Sequence, residues 1–343
     1  MAKVTINGQL YAAEAGQTIL QVCKANGINV PTFCYDPRLK PGGTCRICVV
    51  EIAGDDKLRV SCAFEAKDGM VIDTNSAKVK AERKSILENL LEGHNTECLT
   101  CVESGDCKLQ EYAYDYEVDP KSFKATNKNI VVESVVFTLD ESKCIKCGLC
   151  VKTAANLQHC DALTFKNGKN AGDGFDFSQD KCVSCGNCVF VCPTGALTSK
   201  TEEPIRKADC TATQTTCTYC GVGCQIMLYA KDNKVVYAEP KMDAVNNGLL
   251  CVKGRYGFHF INHAERVKTP LIRDKKGGEL REATWEEAYA LIKEKLGGIK
   301  EKHGGTAVGF FGSGKASIED NYMLQKFARA VIGSNNIDCC ARL

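Results

Sequence analysis

The sequence predicts an α+β multidomain chain assembled from small lobes, and three observations lead there. Twenty-three cysteines fall among 343 residues, nearly all in tight groups with two or three residues between neighbours. Short strand-like and helix-like stretches alternate between those groups, too brief for one large core. Only the last part, with a helix, an apolar strand and a second helix in succession, reads as the opening of an α/β domain.

Cysteine-rich chains divide into oxidised, disulfide-stapled proteins and metal binders. Stapled domains are usually short and secreted, whereas this chain is long and its start, MAKVTINGQLYAAEAG, has no apolar signal core, twin arginine or acylation motif. No run reaches the roughly eighteen apolar residues of a membrane span. The reducing cytoplasm is therefore the expected compartment, where a CxxC is more often a metal site than a staple. A formal net charge of +2 leaves no basic footprint for nucleic acid.

Val4 to Leu10 reads as a strand, followed by a helix from Ile19 with Thr18 and Gln21 as capping box and Gly27 as its stop. Cys23 lies on that helix's apolar stripe with Ile19 and Val22 and is expected to be a small buried residue. Cys34, Cys45, Cys48 and Cys62 follow, with the close pair inside PGGTCRIC. Four thiolates suit a [2Fe–2S] cluster. A zinc ribbon is the alternative, but it pairs two CxxC knuckles and this stretch has one. The spacing resembles the N-terminal domain of the large iron–sulfur subunit of respiratory complex I and of iron-only hydrogenases, which implies a β-grasp fold.

Val79, Arg83, Ile86, Leu87, Leu90 and Leu91 form a helical stripe that Gly93 is placed to end. His94 follows, then Cys98, Cys101 and Cys107: a histidine opening a set of three cysteines that lacks a fourth ligand. Neutral imidazole in place of a thiolate lowers the cluster's negative charge and raises its potential, as in Rieske centres. The HxxxCxxCxxxxxC pattern also occurs in the two families just named, and with it the first two lobes share one resemblance.

After an exposed connector at 121–130 and a strand-like run from Val131 to Leu139, two motifs form an internal repeat. CVSCGNCVFVCP carries Cys182, Cys185, Cys188 and Cys192 before Pro193, the complete bacterial ferredoxin run. CIKCGLC supplies Cys144, Cys147 and Cys150, but Ala154 stands where the fourth cysteine belongs, and Cys160 lies six residues further on. In two-cluster ferredoxins the fourth cysteine of each run serves the other cluster. Cys192 is thus expected to complete the Cys144 set and Cys160 the Cys182 set, the alternative being a three-cysteine second cluster with Cys160 only buried. Gly148 and Gly186 sit where backbone passes close to an inorganic core.

A threonine-rich linker precedes CTYCGVGC, with Cys217, Cys220 and Cys224, and Cys251 follows in GLLCVKGR. Strand-like stretches at Gln225–Ala230 and Lys234–Ala238 separate the halves. This region resembles the molybdopterin oxidoreductases and within them formate dehydrogenase, on CTYCGVGC, CVKGRYGF and HAERVKTPLI. The resemblance implies a small [4Fe–4S] domain and places Lys253, two residues after the fourth cysteine, between cluster and pterin as an electron relay. Read alone, Lys253 is a solvated surface charge. Beyond it, Thr284 and Glu287 form a capping box before a helix bearing Leu291, Ile292, Leu296 and Ile299. Thr306 to Phe311 reads as a buried strand, and a helix with Tyr322, Phe327 and Val331 ends at Gly333. GSGK (Gly312 to Lys315) lacks the full GxxxxGK[ST] pattern and reads equally as a turn approaching pterin phosphates or as a plain turn.

The final phrase, NNIDCCARL, is similar to the stretch that in formate dehydrogenases leads into the selenocysteine or cysteine holding molybdenum or tungsten. The resemblance therefore implies that Leu343 stands just before that residue, at a selenocysteine codon. A chain of this form is expected to be inactive toward formate alone. Cys23, Cys210, Cys339 and Cys340 join no set.

These readings divide the chain at 1–76, 77–125, 126–200, 201–265 and 266–343: a [2Fe–2S] β-grasp domain, a His/Cys3 [4Fe–4S] domain, a ferredoxin-like 2[4Fe–4S] domain, a [4Fe–4S] domain of molybdopterin oxidoreductase type and the beginning of an α/β molybdopterin-binding domain. One [2Fe–2S] and four [4Fe–4S] clusters follow, with sensitivity to oxygen. By resemblance, a molybdenum- or tungsten-bis(pterin guanine dinucleotide) formate/CO2 site exchanges electrons through them with a partner redox subunit of NAD/flavin, ferredoxin or hydrogenase type. Two alternatives remain: the large iron–sulfur subunit of a complex I type NADH dehydrogenase, and a stand-alone multi-cluster electron carrier.

Overall fold

The computed structural model describes residues 1–124, 131–166, 174–200 and 204–339. Part of the expected 121–130 connector, together with Cys340 and Leu343, lies outside the described residues. Among those described, no helix is long and apolar enough to cross a membrane.

The first lobe is a five-stranded mixed sheet in the order Gln9–Ala13, Ala2–Ile6, Val71–Asp73, Val49–Ile52, Arg59–Val60. The single strand expected over Val4–Leu10 is instead a hairpin, because Asn7 (φ 50°) and Gly8 (φ 81°) take the two left-handed positions of a tight Asn-Gly turn. The Ile19–Ala25 helix packs Ile19, Leu20, Val22 and Cys23 onto this sheet, with the Thr18–Gln21 capping box formed and Gly27 at φ 71° past its end.

In the second lobe the Ala77–Leu91 helix turns Val79, Arg83, Leu87 and Leu91 inward. Arg83 is 2% exposed, yet each nitrogen has a partner: Nε donates to the Ile47 carbonyl (3.2 Å), Nη2 to the Val49 carbonyl (2.8 Å) and Nη1 to the Tyr116 hydroxyl (2.8 Å). It rivets this helix to the first lobe's sheet.

The third lobe carries the repeat. The strand expected from Val131 to Leu139 is broken into an antiparallel pair, Val131–Glu133 and Phe137–Asp140, where Ser134 Oγ accepts from the Val136 and Phe137 amides and bends the chain. Leu197–Ser199 adds a third strand to this sheet. Leu163–Phe165 pairs separately with Phe175–Phe177. Two one-turn helices, Leu149–Lys152 and Asn187–Phe190, each start on a left-handed glycine, Gly148 (φ 75°) and Gly186 (φ 68°).

The threonine-rich stretch read as linker is a strand. Thr211–Thr216 pairs with Gln225–Lys231, which pairs with Lys234–Pro240. All six of its side chains are exposed, and its β-branched threonines suit an edge that has no core to fill. In the last part, the Trp285–His303 helix has its capping box. Ile318–Lys326 continues into a wide turn, Phe327–Ile332, that Gly333 ends at φ 83°. The buried strand expected over Thr306–Phe311 is shorter and shifted: Gly305–Ala307 is a helical turn, and Phe310–Gly312 pairs in parallel with Ile337–Cys339. Among the described residues this sheet has two strands, which leaves Phe311 83% exposed.

Replacing Arg83 by Met strands two buried carbonyls, at a cost of about 2–4 kcal/mol. We expect markedly faster amide hydrogen exchange across 77–91 in Arg83→Met, partly restored in Arg83→Lys. Unchanged protection would show that the rivet is dispensable.

Candidate iron–sulfur sites

Cys34, Cys45, Cys48 and Cys62 converge at the junction of the first two lobes, all buried. The Cys45 amide donates to Cys34 Sγ (3.5 Å), and the thiols form two pairs that each share a proton: Cys45 lowers Cys34 and Cys62 lowers Cys48, while Cys45 and Cys62 are themselves pushed up. Arg46, between the close pair, adopts φ 59°, which turns the loop so that both sulfurs face inward. Lys152, from the third lobe, reaches this loop: a Cβ on Gly42 would collide with its ammonium group.

Cys98, Cys101 and Cys107 come together, the first two adding to the burial that raises the Cys107 thiol, and His94 precedes them in the chain. His94 Nδ1 is buried with no hydrogen-bond partner, and burial holds the imidazole pKa down to about 4. A neutral ring with an unspent buried nitrogen is the state in which histidine binds metal. This lobe rests on the third: the Lys108 amide donates to the Pro193 carbonyl (3.1 Å), and a Cβ on Gly195 would stand 2.7 Å from Cys101 Sγ.

The repeat builds two cavities with matching walls. One is lined by Cys144, Cys147 and Cys150 together with Cys192; the other by Cys182, Cys185 and Cys188 together with Cys160. Each run therefore meets the distant cysteine of the other. In both, an amide two residues on donates to the first sulfur, Lys146 to Cys144 (3.3 Å) and Ser184 to Cys182 (3.4 Å), from residues at φ 56° and 54°. The inserted residues after Cys150 are taken up by a wide helical turn over Thr153–Leu157 and by left-handed His159 and Asp161, which return Cys160 to the cavity that Ala154 also lines. Burial raises Cys144 to about 11 and Cys188 to about 12 and lifts Cys150 far above the ordinary thiol range.

Cys217, Cys220, Cys224 and Cys251 form the outermost group, with Cys220 and Cys251 exposed. The Cys217 amide donates to the Cys224 carbonyl (2.8 Å), and the Cys224 thiol, raised first by burial, is raised further by the other three. Lys253 is exposed, its ammonium 5.5 Å from the centre of the Tyr219 ring, whose hydroxyl donates to the Gly257 carbonyl (2.6 Å). Cys210 stands apart, its thiol donating to the Arg206 carbonyl (3.4 Å). GSGK forms a strand-to-helix turn beside an open cavity of about 440 Å³ that Cys339 also lines. The Ser317–Asp320 box already caps the next helix and Glu319 adds negative charge, which favours a plain turn over a phosphate loop.

Among the described residues, no three side chains converge tightly enough to hold a single metal ion. In the third lobe the donors instead ring two cavities, which suits an inorganic core standing between its ligands. Thiol sets of four, and three thiols with one unpartnered imidazole, fit the iron–sulfur donor chemistry.

Several residues that bind these sites together carry no ligand signature in the sequence. Asn187, inside CGNC, donates to the Leu250 carbonyl and accepts from the Leu250 amide, both at 3.1 Å, which ties the Cys182 group to the residue before Cys251. Lys207 pairs with Glu103 (3.6 Å), Glu239 (3.0 Å) and Asp106. Burial alone would lower it, but these carboxylates raise it above the ordinary lysine value. Arg255, inside CVKGRYGF, is 1% exposed and donates through Nε to the Cys185 carbonyl (3.1 Å).

Residues 1–77 match the 2Fe-2S iron–sulfur cluster binding domain and 83–121 the NADH-ubiquinone oxidoreductase-G iron–sulfur binding region. Residues 175–198 match the 4Fe-4S binding domain, 210–263 the molybdopterin oxidoreductase Fe4S4 domain and 266–343 the molybdopterin oxidoreductase family. The chain is 37% identical over its full length to a G-type subunit of the NADH-quinone oxidoreductase of Rhizobium meliloti, covering 40% of that protein. It is 34% identical over 99% of its length to YrhE of Bacillus subtilis, provisionally named a formate dehydrogenase, covering 39% of it. It is also 34% identical over its full length to the NADPH-Fe(3+) oxidoreductase alpha subunit of Geobacter sulfurreducens, covering 40%. The chain thus spans about two fifths of the length of the curated relatives it matches. In chain order the matches run from iron–sulfur cluster binding domains to the molybdopterin oxidoreductase Fe4S4 domain and the molybdopterin oxidoreductase family, which makes the chain similar to the iron–sulfur, electron-transferring part of such proteins.

Proposed function

We propose that this region carries electrons between a formate/CO2 site holding a molybdenum- or tungsten-pterin and a partner redox subunit. The observation that carries the reading is the pair of cavities in the third lobe, each closed by the fourth cysteine of the other run. Ligation is assigned to Cys34, Cys45, Cys48 and Cys62 for one [2Fe–2S] cluster. Four [4Fe–4S] clusters are assigned to His94 with Cys98, Cys101 and Cys107; Cys144, Cys147, Cys150 and Cys192; Cys160, Cys182, Cys185 and Cys188; and Cys217, Cys220, Cys224 and Cys251. When bound, such clusters accept and return single electrons.

The protein's own residues set the sites in a row. Asn187 and Arg255 join the Cys217 group to the Cys182 group. Cys188 is close enough to Cys150 to raise it further, and Cys34 does the same to Cys147. The His94 group abuts the row at Gly195. In the five-part division at 1–76, 77–125, 126–200, 201–265 and 266–343, the third part holds two clusters, the first, second and fourth one each, and 266–343 contributes to the pterin site, in its bis(guanine dinucleotide) form. Lys253, beside Cys251 and stacked on Tyr219, is assigned the relay position toward the pterin. Buried thiols that must stay reduced suit the cytoplasm and anaerobic conditions.

Formate as substrate is supported by CTYCGVGC and CVKGRYGF and by the 34% identity to YrhE. The 37% identity to the NADH-quinone oxidoreductase component favours a second reading, in which the same row serves NADH oxidation. An NAD/flavin, ferredoxin or hydrogenase-type subunit is the expected partner.

In the complete, assembled enzyme, formate should bring up the reduced [4Fe–4S] signals by electron paramagnetic resonance without added nucleotide. Reduction by NADH but not by formate would replace the first reading by the second. The anaerobically isolated chain should hold the iron of five clusters, about eighteen atoms, and Cys160→Ala should lose most of one [4Fe–4S] share. Zinc in place of iron would overturn the scheme, and full iron with unaltered spectra in Cys160→Ala would make that residue merely buried. His94→Cys adds a thiolate and should lower the midpoint potential of one cluster, whereas an unmoved redox titration would strike His94 from the ligands.

A further inference from the structure

Arg83 and Arg255 are almost wholly buried, and they differ in one respect. Arg83 spends all three nitrogens on carbonyls and a hydroxyl. Arg255 donates through Nε to the Cys185 carbonyl (3.1 Å) and through Nη1 to the Ala238 carbonyl (3.4 Å), but its buried Nη2 has no partner. No carboxylate pairs with it among the described residues. Glu239, next to Ala238, is taken by Lys207 (3.0 Å) and the Tyr229 hydroxyl (2.9 Å). The guanidinium stands 5.7 Å from the centre of the Phe190 ring, and its stem lies against the ligand loop itself: a Cβ on Gly186 would come within 2.9 Å of Arg255 Nε. A cation in the interior without an anion is strongly disfavoured. The anion this site lacks is the one its neighbouring sulfurs would bring.

We infer that Arg255 is the fixed counter-charge of the [4Fe–4S] cluster assigned to Cys160, Cys182, Cys185 and Cys188, and that it sets this cluster's potential above what four thiolates alone would give. A cluster ligated by four thiolates is anionic and gains one further negative charge when it takes up an electron, so a guanidinium held against its loop stabilises the reduced form more than the oxidised one. Burial keeps solvent from screening the effect. Arg255 also departs from the segment that carries Cys251 and Lys253, with Gly254 and Arg255 buried and Lys253 exposed. One short helix thus carries an exposed cation and a buried one. Arg255 is a positioning and potential-setting residue and touches no substrate.

The inference rests on the ligand assignment above, and the test separates the two. The full chain, with clusters assembled anaerobically, is titrated with dithionite and followed by electron paramagnetic resonance. Arg255→Gln should shift the midpoint of one [4Fe–4S] signal downward and leave the others in place, while Arg255→Lys, which keeps the charge, should stay near the parent. Phe190→Glu places a carboxylate beside the intact guanidinium and should produce the same downward shift, which decides the matter if Arg255→Gln loses the cluster. Unmoved potentials in Arg255→Gln and Phe190→Glu would overturn the inference, as would a shift in Arg255→Lys as large as in Arg255→Gln. Missing [4Fe–4S] signals in the unsubstituted chain would instead overturn the ligand assignment.

Discussion

The architecture depends on the conflict between burial and charge at sulfur. A thiol drawn into a protein interior resists ionisation, and the third lobe shows it strongly, with Cys144, Cys150 and Cys188 all raised by desolvation. A thiolate is nonetheless the form that binds iron. Metal and fold therefore stabilise each other, since iron supplies the positive charge that lets the sulfurs ionise where the chain holds them. The small lobes have little else: their sheets have two to five strands, and the cysteines themselves are part of the packed clusters.

The first three lobes share one apolar cluster, with Phe33 and Ile47, Leu87 and Leu109, and Ile145 and Leu149 packed together, and buried polar contacts add direction to it. Arg83 fastens the second lobe to the first, Asn187 clamps the third to the fourth through paired amide hydrogen bonds, and Lys207 draws carboxylates from the second and fourth lobes onto one ammonium. Each is buried or half-buried, and each satisfies backbone or carboxylate groups that would otherwise be left without partners. Directional contacts of this kind hold neighbouring sites at fixed spacing, which a sliding apolar interface does not.

Ligand groups were legible in the sequence because cluster chemistry demands closely spaced thiols, and spacing survives as plain text. The pairing of Cys192 with the first run and Cys160 with the second was read from the same spacing, and each of these cysteines lines the cavity of the other run. Boundaries of strands were less so. Asn7–Gly8 splits an apparent single strand because its left-handed turn outweighs the β-propensity around it, and Thr211–Thr216 looked like a linker because an edge strand with every side chain exposed shows no alternation. The joining residues were illegible. Nothing in their local pattern separates a buried Arg255 or Lys207 from the many surface charges, because their burial is decided by partners far along the chain, such as Cys185 and Glu103.

The interlocked cavities of the third lobe also constrain how the protein is made. Cys144, Cys147 and Cys150 leave the ribosome well before Cys192, and Cys160 waits in the same way for Cys182. At about 5–20 residues per second the first run stands open for several seconds, short of its last ligand. The Cys160 group is complete once Cys188 has been made, four residues before Cys192 completes the other, so the site whose first cysteines are made earlier is the later to close. During synthesis this lobe offers an incomplete set of thiols to any competing soft metal or oxidant.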